Sequence, residues 1–334
     1  MQISDLRRTA RDRLLDFAWD EWTQMGVSGA ARRTDRWAQD PEALLLFTLE
    51  VARDDPRLFG EVLDWLALNE RLMSVQRLRN LCRDDADRTL AEAALAWIAG
   101  SKEGGQRRQR PSAGDPASAV QLFDDVKADP RRPDAAFRAH GWLMPPIARS
   151  GRSQVPNLRA PINFAFRLRQ LLGIGARAEA ARFLLTVHAS SVTAQVVTES
   201  AGFAKRNVHD ALAALHWAGV VDVVTVANEQ RYRIDRERWE TLLGLTADGL
   251  PTERSWPQLL HALRVLVRWL GDEQHDRLSP YMLASEARTL AEEIGPELRY
   301  AGVRVPQGGR LGAEYWHDFV SLVELAVAAV AGLE

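Results

Sequence analysis

The stretch from Ala178 to Trp239, AEAARFLLTVHASSVTAQVVTESAGFAKRNVHDALAALHWAGVVDVVTVANEQRYRIDRERW, changes its apolar period twice. Phe183, Leu184 and Val187, then Val196 and Val197, then Val208, Leu212 and Leu215 recur at helical spacing. Gly219 stops the third pattern, and a β-branched run from Val220 to Val226 follows. Asn228-Glu229 separates that run from a second alternating segment, Gln230 to Asp235. The order is three short helices and then a two-stranded ribbon.

That order is the layout of a winged helix. Gly202 lies between the second and third patterns, where a sharp helix-to-helix turn calls for positive φ. Packing the third helix through Phe203, Val208, Leu212 and Leu215 leaves Lys205, Arg206, Asn207, His209 and Asp210 on or beside its outer face. In helix-turn-helix modules such residues meet base edges in the major groove, and wing residues meet phosphates or the minor groove. The wing offers Gln230, Arg231 and Arg233, with both arginines opposite Tyr232 and Ile234.

The run VVTESAGFAKRNVHDALAALHWAGVV resembles the helix-turn-helix core of bacterial winged-helix transcription regulators of the MarR and ArsR kind. The resemblance is confined to about residues 178–239, roughly a fifth of the chain. It rests on Gly202, Val208, Leu212, Leu215 and Gly219 standing in register before a hairpin. It implies a DNA-binding regulator. The chain departs from the pattern at Ala204, where a Ser or Thr usually caps the third helix, and at Asp210, which puts an anion on the prospective DNA face.

The 334 residues suffice for two or three domains, and the 46% apolar content is that of an ordinary globular chain. A net charge of −2 favours no class of partner, but its distribution is uneven: acidic before about Gly100, basic in the middle, acidic again at the end. The single cysteine, Cys82, excludes an intramolecular disulfide. The charged N-terminus is unlike a signal peptide, and no apolar run reaches membrane-spanning length, so a cytoplasmic protein is expected.

The expected fold is mainly α: an N-terminal helical domain over 1–100, a basic Pro/Gly/Arg-rich linker over 101–160, a winged-helix domain over 161–245, and a C-terminal helical domain over 250–334. Asp40-Pro41, Asp55-Pro56, Ser74 and Ser279-Pro280 read as helix starts. SAVQLFDDVKADP reads as one short helix, and Gly295-Pro296 as a helix stop. The final helix suits packing within the domain or across a two-fold homodimer. Residues 63–82 look like a second, degenerate helix-turn-helix presenting Gln76, Arg77, Arg79 and Asn80; the competing reading is the solvated face of a bundle helix.

From Arg131 to Arg182 the chain carries ten arginines against Asp134 and Glu179. Affinity for DNA follows the number of phosphates neutralised. Arg167, Arg169 and Arg177 are therefore candidate phosphate contacts for a module whose own charges balance; the alternative is that such arginines pair with the acidic flanks. No phosphate loop, metal-ligand spacing or nucleophile constellation is evident, so neither cofactor nor catalysis is expected. The eleven tryptophans read as packing residues, with an aromatic effector pocket between the winged helix and the C-terminal helices as the weaker account. Two functions compete: a sequence-specific transcription regulator bound to double-stranded DNA, and a protein-partner module of the antitoxin-like or defence-regulator type.

Overall fold

The computed structural model describes residues 2–30, 37–101, 119–245, 249–306 and 309–331, and it is mainly helical. At the centre lies α2 (Pro41–Val51), PEALLLFTLEV, buried on every side. A helix apolar all round belongs in a core. Asp40 caps it by accepting from the Ala43 amide, and Pro41 supplies a pre-set φ at the first position. Around it pack α1 (Ile3–Gln24), α4 (Val75–Leu81) and α5 (Asp85–Gly100), with α3 (Pro56–Asn69) against α5. Asp55 and Ser74 cap α3 and α4 as expected.

The same core contains the far end of the chain. α12 (Trp256–Gly271) packs on α2, α13 (Pro280–Tyr300) on α12, and α14 (Tyr315–Ala331) on α13 and α1. Leu44, Phe47, Leu259, Leu263, Ile294 and Phe319 belong to one continuous apolar cluster. The helices expected to form separate N- and C-terminal domains thus share one body. α12 carries an apolar stripe too broad for a surface helix, and α2 supplies its partner.

Pro296 does not stop α13, which runs on to Tyr300. Proline inside a helix costs about 3 kcal/mol, and here Ile294 and Leu298, both buried, carry the helix past it.

Of the stretch expected to be a linker, residues 102–118 lie outside the described residues. From 119 on, the chain packs against the body. Residues expected as a short helix instead open on β1 (Val120–Gln121), parallel to β2 (Trp142–Leu143). The Gln121 amide replaces helical bonds by pairing with both the N–H and the carbonyl of Ala128. Phe123 and, from α6 (Ala135–Ala139), Phe137 meet Phe59 edge to face. Arg149 and Arg152 pair with Asp64 and Glu61, and Asp64 also accepts from the Gly151 amide, so the extended segment is tied to α3.

The winged helix follows α7 (Phe164–Leu172) as α8 (Ala176–Thr186), β3 (Val192–Thr193), α9 (Ala194–Ala201), α10 (Lys205–Trp217), β4 (Val221–Val226) and β5 (Glu229–Ile234), closed by α11 (Arg236–Leu243). The antiparallel sheet has the order β3-β5-β4. Its hairpin turns at Ala227-Asn228, both at positive φ, one residue earlier than expected. That geometry is the two-residue primed turn whose twist matches the strands. Val197, Leu212, Leu215, Val221 and Tyr232 form the module's own core.

Candidate nucleic-acid interface

α10 buries Val208, Ala211, Leu212 and Leu215 and turns everything else outward. At about 100° per residue, the line directly opposite the buried face runs through Arg206, Asp210, Ala213 and Trp217. His209 stands beside that line, Asn207 and Lys205 lie roughly a quarter-turn or more to either side of it, and all three are exposed. Arg206 has a side chain 91% exposed, and its Nε lies 4.0 Å from Asp210 Oδ2. The helix thus presents a donor fork and an acceptor one turn apart. Ala204 occupies the cap position in extended geometry and makes no capping bond, as its side chain dictates.

Gly202, in the left-handed region at φ +67°, makes the turn between α9 and α10. A Cβ there would also come within 3.2 Å of Arg77 Nε and Leu81 Cδ2. In the wing, Gln230 and Arg233 are exposed and Arg231 is half-exposed, on the central strand β5. Arg233 stands opposite Asp222 in the register and pairs with it at 3.2 Å, while Arg231 lies 3.5 Å from Glu229. Exposed pairs of this kind are worth about 0–1 kcal/mol, so a phosphate can displace them.

The other side of the module is fixed to the body by buried charge. Arg77 and Arg169 are fully buried. Arg77 donates to Asp40, Glu42 and the α9 carbonyls of Ser200 and Ala201. Arg169 donates to Glu42, Glu179 and the Leu72 carbonyl. Arg182 joins Glu179 to Glu253, which also accepts from the Thr186 hydroxyl. Burial alone would raise the Glu179 carboxyl, but Arg169, Arg77 and Arg182 hold it down at about 2. Asp40 is lowered in the same way, Arg77 overcoming its burial. Glu253 is raised, because burial outweighs Arg182.

These positions correct several expectations. Arg169 is a buried ion, not a phosphate contact: it falls three and four residues after Phe166 and Ala165 and so lies on the apolar face of α7. Arg167 is half-buried and donates to the Leu243 carbonyl of α11. Of the three candidates upstream, Arg177 alone stands exposed.

In the expected second helix-turn-helix Gln76 is exposed, while the other three residues are engaged within the fold. Arg77 is buried, Arg79 pairs with Glu92, and the Asn80 amide donates to the Gly202 carbonyl, so α4 serves as the seat of the α9–α10 turn. Where the winged helix meets the segment leading into α12, Arg182, Glu253 and Ser200 hydrogen-bond to one another, a polar junction rather than an aromatic-lined one. The sequence held the signal for part of this: Glu42 adjoins the apolar run Ala43–Phe47, and a carboxylate carried into the core with that run requires a buried partner.

Among the described residues no group of three or more His, Cys, Asp or Glu is arranged to hold a metal ion. Cys82 is buried with its thiol pushed up to about 11, chiefly by burial, which leaves it unreactive at neutral pH. No described helix is long and apolar enough to cross a membrane. Compared with protein-family models, curated proteins and solved structures, the chain matches none.

Proposed function

We propose that the chain is a sequence-specific transcription regulator of the cytoplasm that binds double-stranded DNA through α10 and the wing. One observation carries this reading. The module is mounted with α9 and its turn held against the body, while Lys205, Arg206, Asn207 and His209 face solvent on the free side. Arg206 and Asn207 have the donor and acceptor patterns that read guanine and adenine edges. Arg231, Arg233 and Arg177 suit phosphates. Two copies on a two-fold operator, with repression as the output, complete the proposal.

The test is an electrophoretic shift with the duplex upstream of the chain's own coding sequence, at several salt concentrations. Binding is expected to weaken steeply with salt, and Arg231→Ala to reduce the log–log slope by about one. Arg206→Ala is expected to lower specific affinity by roughly 1–3 kcal/mol. A shift indifferent to salt, or no shift at any salt, would defeat the reading.

Trp217 favours a second reading. It is 88% exposed, on the outermost line of α10 and about 16 Å beyond Arg206. A large apolar ring so placed suits a protein partner, with the winged helix serving as the docking element of an antitoxin-like or defence-system regulator. Salt separates the two: an apolar contact centred on Trp217 persists at ionic strengths that dissolve phosphate contacts.

A further inference from the structure

We propose that Asp210 is a specificity-determining residue of this interface and selects a cytosine beside the guanine that Arg206 reads. The inference rests on the DNA-binding reading above. Its basis is the geometry of α10. Asp210 lies one turn after Arg206 on the line opposite the buried face, with its side chain 74% exposed. With that line towards a duplex, the carboxylate enters the groove together with the guanidinium.

An ionised carboxylate only accepts hydrogen bonds. The major-groove edges are rich in acceptors: guanine N7 and O6, thymine O4, adenine N7. The donors are adenine N6 and cytosine N4. Adenine N6 sits beside N7, whose lone pair repels a carboxylate, whereas cytosine N4 has a C–H neighbour. Cytosine is therefore the edge that satisfies Asp210.

Opposite guanine or thymine the carboxylate loses water without gaining a donor, and opposite adenine it gains one only beside the N7 lone pair; a desolvated charge so poorly paired is costly. The same negative charge weakens attraction to phosphates of every sequence. Asp210 thus gives up general affinity and gains discrimination, largely by rejecting wrong sites. Its partner is near: Arg206 Nε lies 4.0 Å from Asp210 Oδ2, and the guanidinium carries Nη donors as well for guanine O6 and N7.

The test uses the full chain and a pool of randomised duplexes, with the retained DNA sequenced for the wild type, Asp210→Ala and Asp210→Asn. Both variants are expected to melt like the wild type, since the side chain is exposed. The wild type is expected to enrich a cytosine at one position next to a selected guanine. Asp210→Ala is expected to lose that preference by roughly five- to a hundredfold and to hold random duplex more tightly. Asp210→Asn is expected to exchange cytosine for adenine, whose N6 and N7 an amide pairs with.

A wild-type motif without a selected cytosine, or an Asp210→Ala motif that keeps it, overturns the inference and leaves the DNA-binding reading standing. A wild-type chain that retains no duplex even at low salt removes both.

Discussion

Glu42 sits inside α2, buried on every side, where it accepts from Arg77, Arg169 and the Ser74 amide. Removing it leaves two guanidiniums in the interior short of a counter-charge. Glu42→Ala is expected to cost about 3–5 kcal/mol in urea unfolding, whereas Arg79→Ala, whose pair with Glu92 is half-exposed, stays within ~1 kcal/mol. Equal losses would mean the network contributes no more than a surface pair. The pH dependence follows from Glu179. Its folded value of about 2 lies below the ordinary 4.5, so its contribution is complete above pH 4.5 and is lost as the pH falls toward 2. Circular dichroism of an acid titration is expected to show Glu179→Gln less sensitive than the wild type across that interval. Glu253 runs in the opposite sense: its carboxyl is raised, so ionisation costs stability as the pH climbs, and Glu253→Gln is expected to destabilise less at pH 7 than Glu179→Gln does.

The elements of the winged helix were legible from local chemistry. Helical period, the glycine at a left-handed turn and the β-branched run before a tight hairpin all act over a few residues. The hairpin turn came out one position early because Asn228 tolerates positive φ and Ala227 accepts it under the pull of the β4–β5 ladder. α10 also carries an avoidable weakness, its missing cap. Ala204 already has the extended geometry of a capping residue, at φ −58° and ψ 143°. Ala204→Ser is therefore expected to raise stability by about 0.5–1 kcal/mol, read as a higher melting temperature; an unchanged or lowered midpoint would show that the backbone amides are already well solvated. α13 makes the reverse point, since a proline that reads locally as a stop is overruled by buried residues on either side.

For the whole molecule, the consequence of a shared core is that the first and last helices lie side by side. Between α1 and α14 runs an apolar groove of about 500 Å³, lined by Leu6, Ala10, Leu325 and Val327 and bordered by Arg13 and Glu324. Arg13 and Glu324 are exposed and have no ion partner among the described residues. Were the proposed homodimer to close over this groove, a two-fold axis through it would set Arg13 against the same groove's Glu324 on the other copy. Arg13→Glu and Glu324→Arg are each expected to weaken self-association by about tenfold or more, and the double reversal to restore it, in sedimentation equilibrium. Single variants that sediment like the wild type would place any dimer contact elsewhere.

Sequence alone determined the mainly helical character, the helix starts at Asp40, Asp55, Ser74 and Ser279, and the order of helices and strands around Gly202, because caps, turns and apolar periods are local forces. Tertiary structure decided which charges are functional candidates and which are mortar. Arg169 and Arg206 are the same residue type near the same module, yet one is enclosed by Glu42 and Glu179 and the other stands in water. Glu179 is a local neighbour, but Glu42 stands 127 positions away and meets Arg169 only when α7 seats against α2.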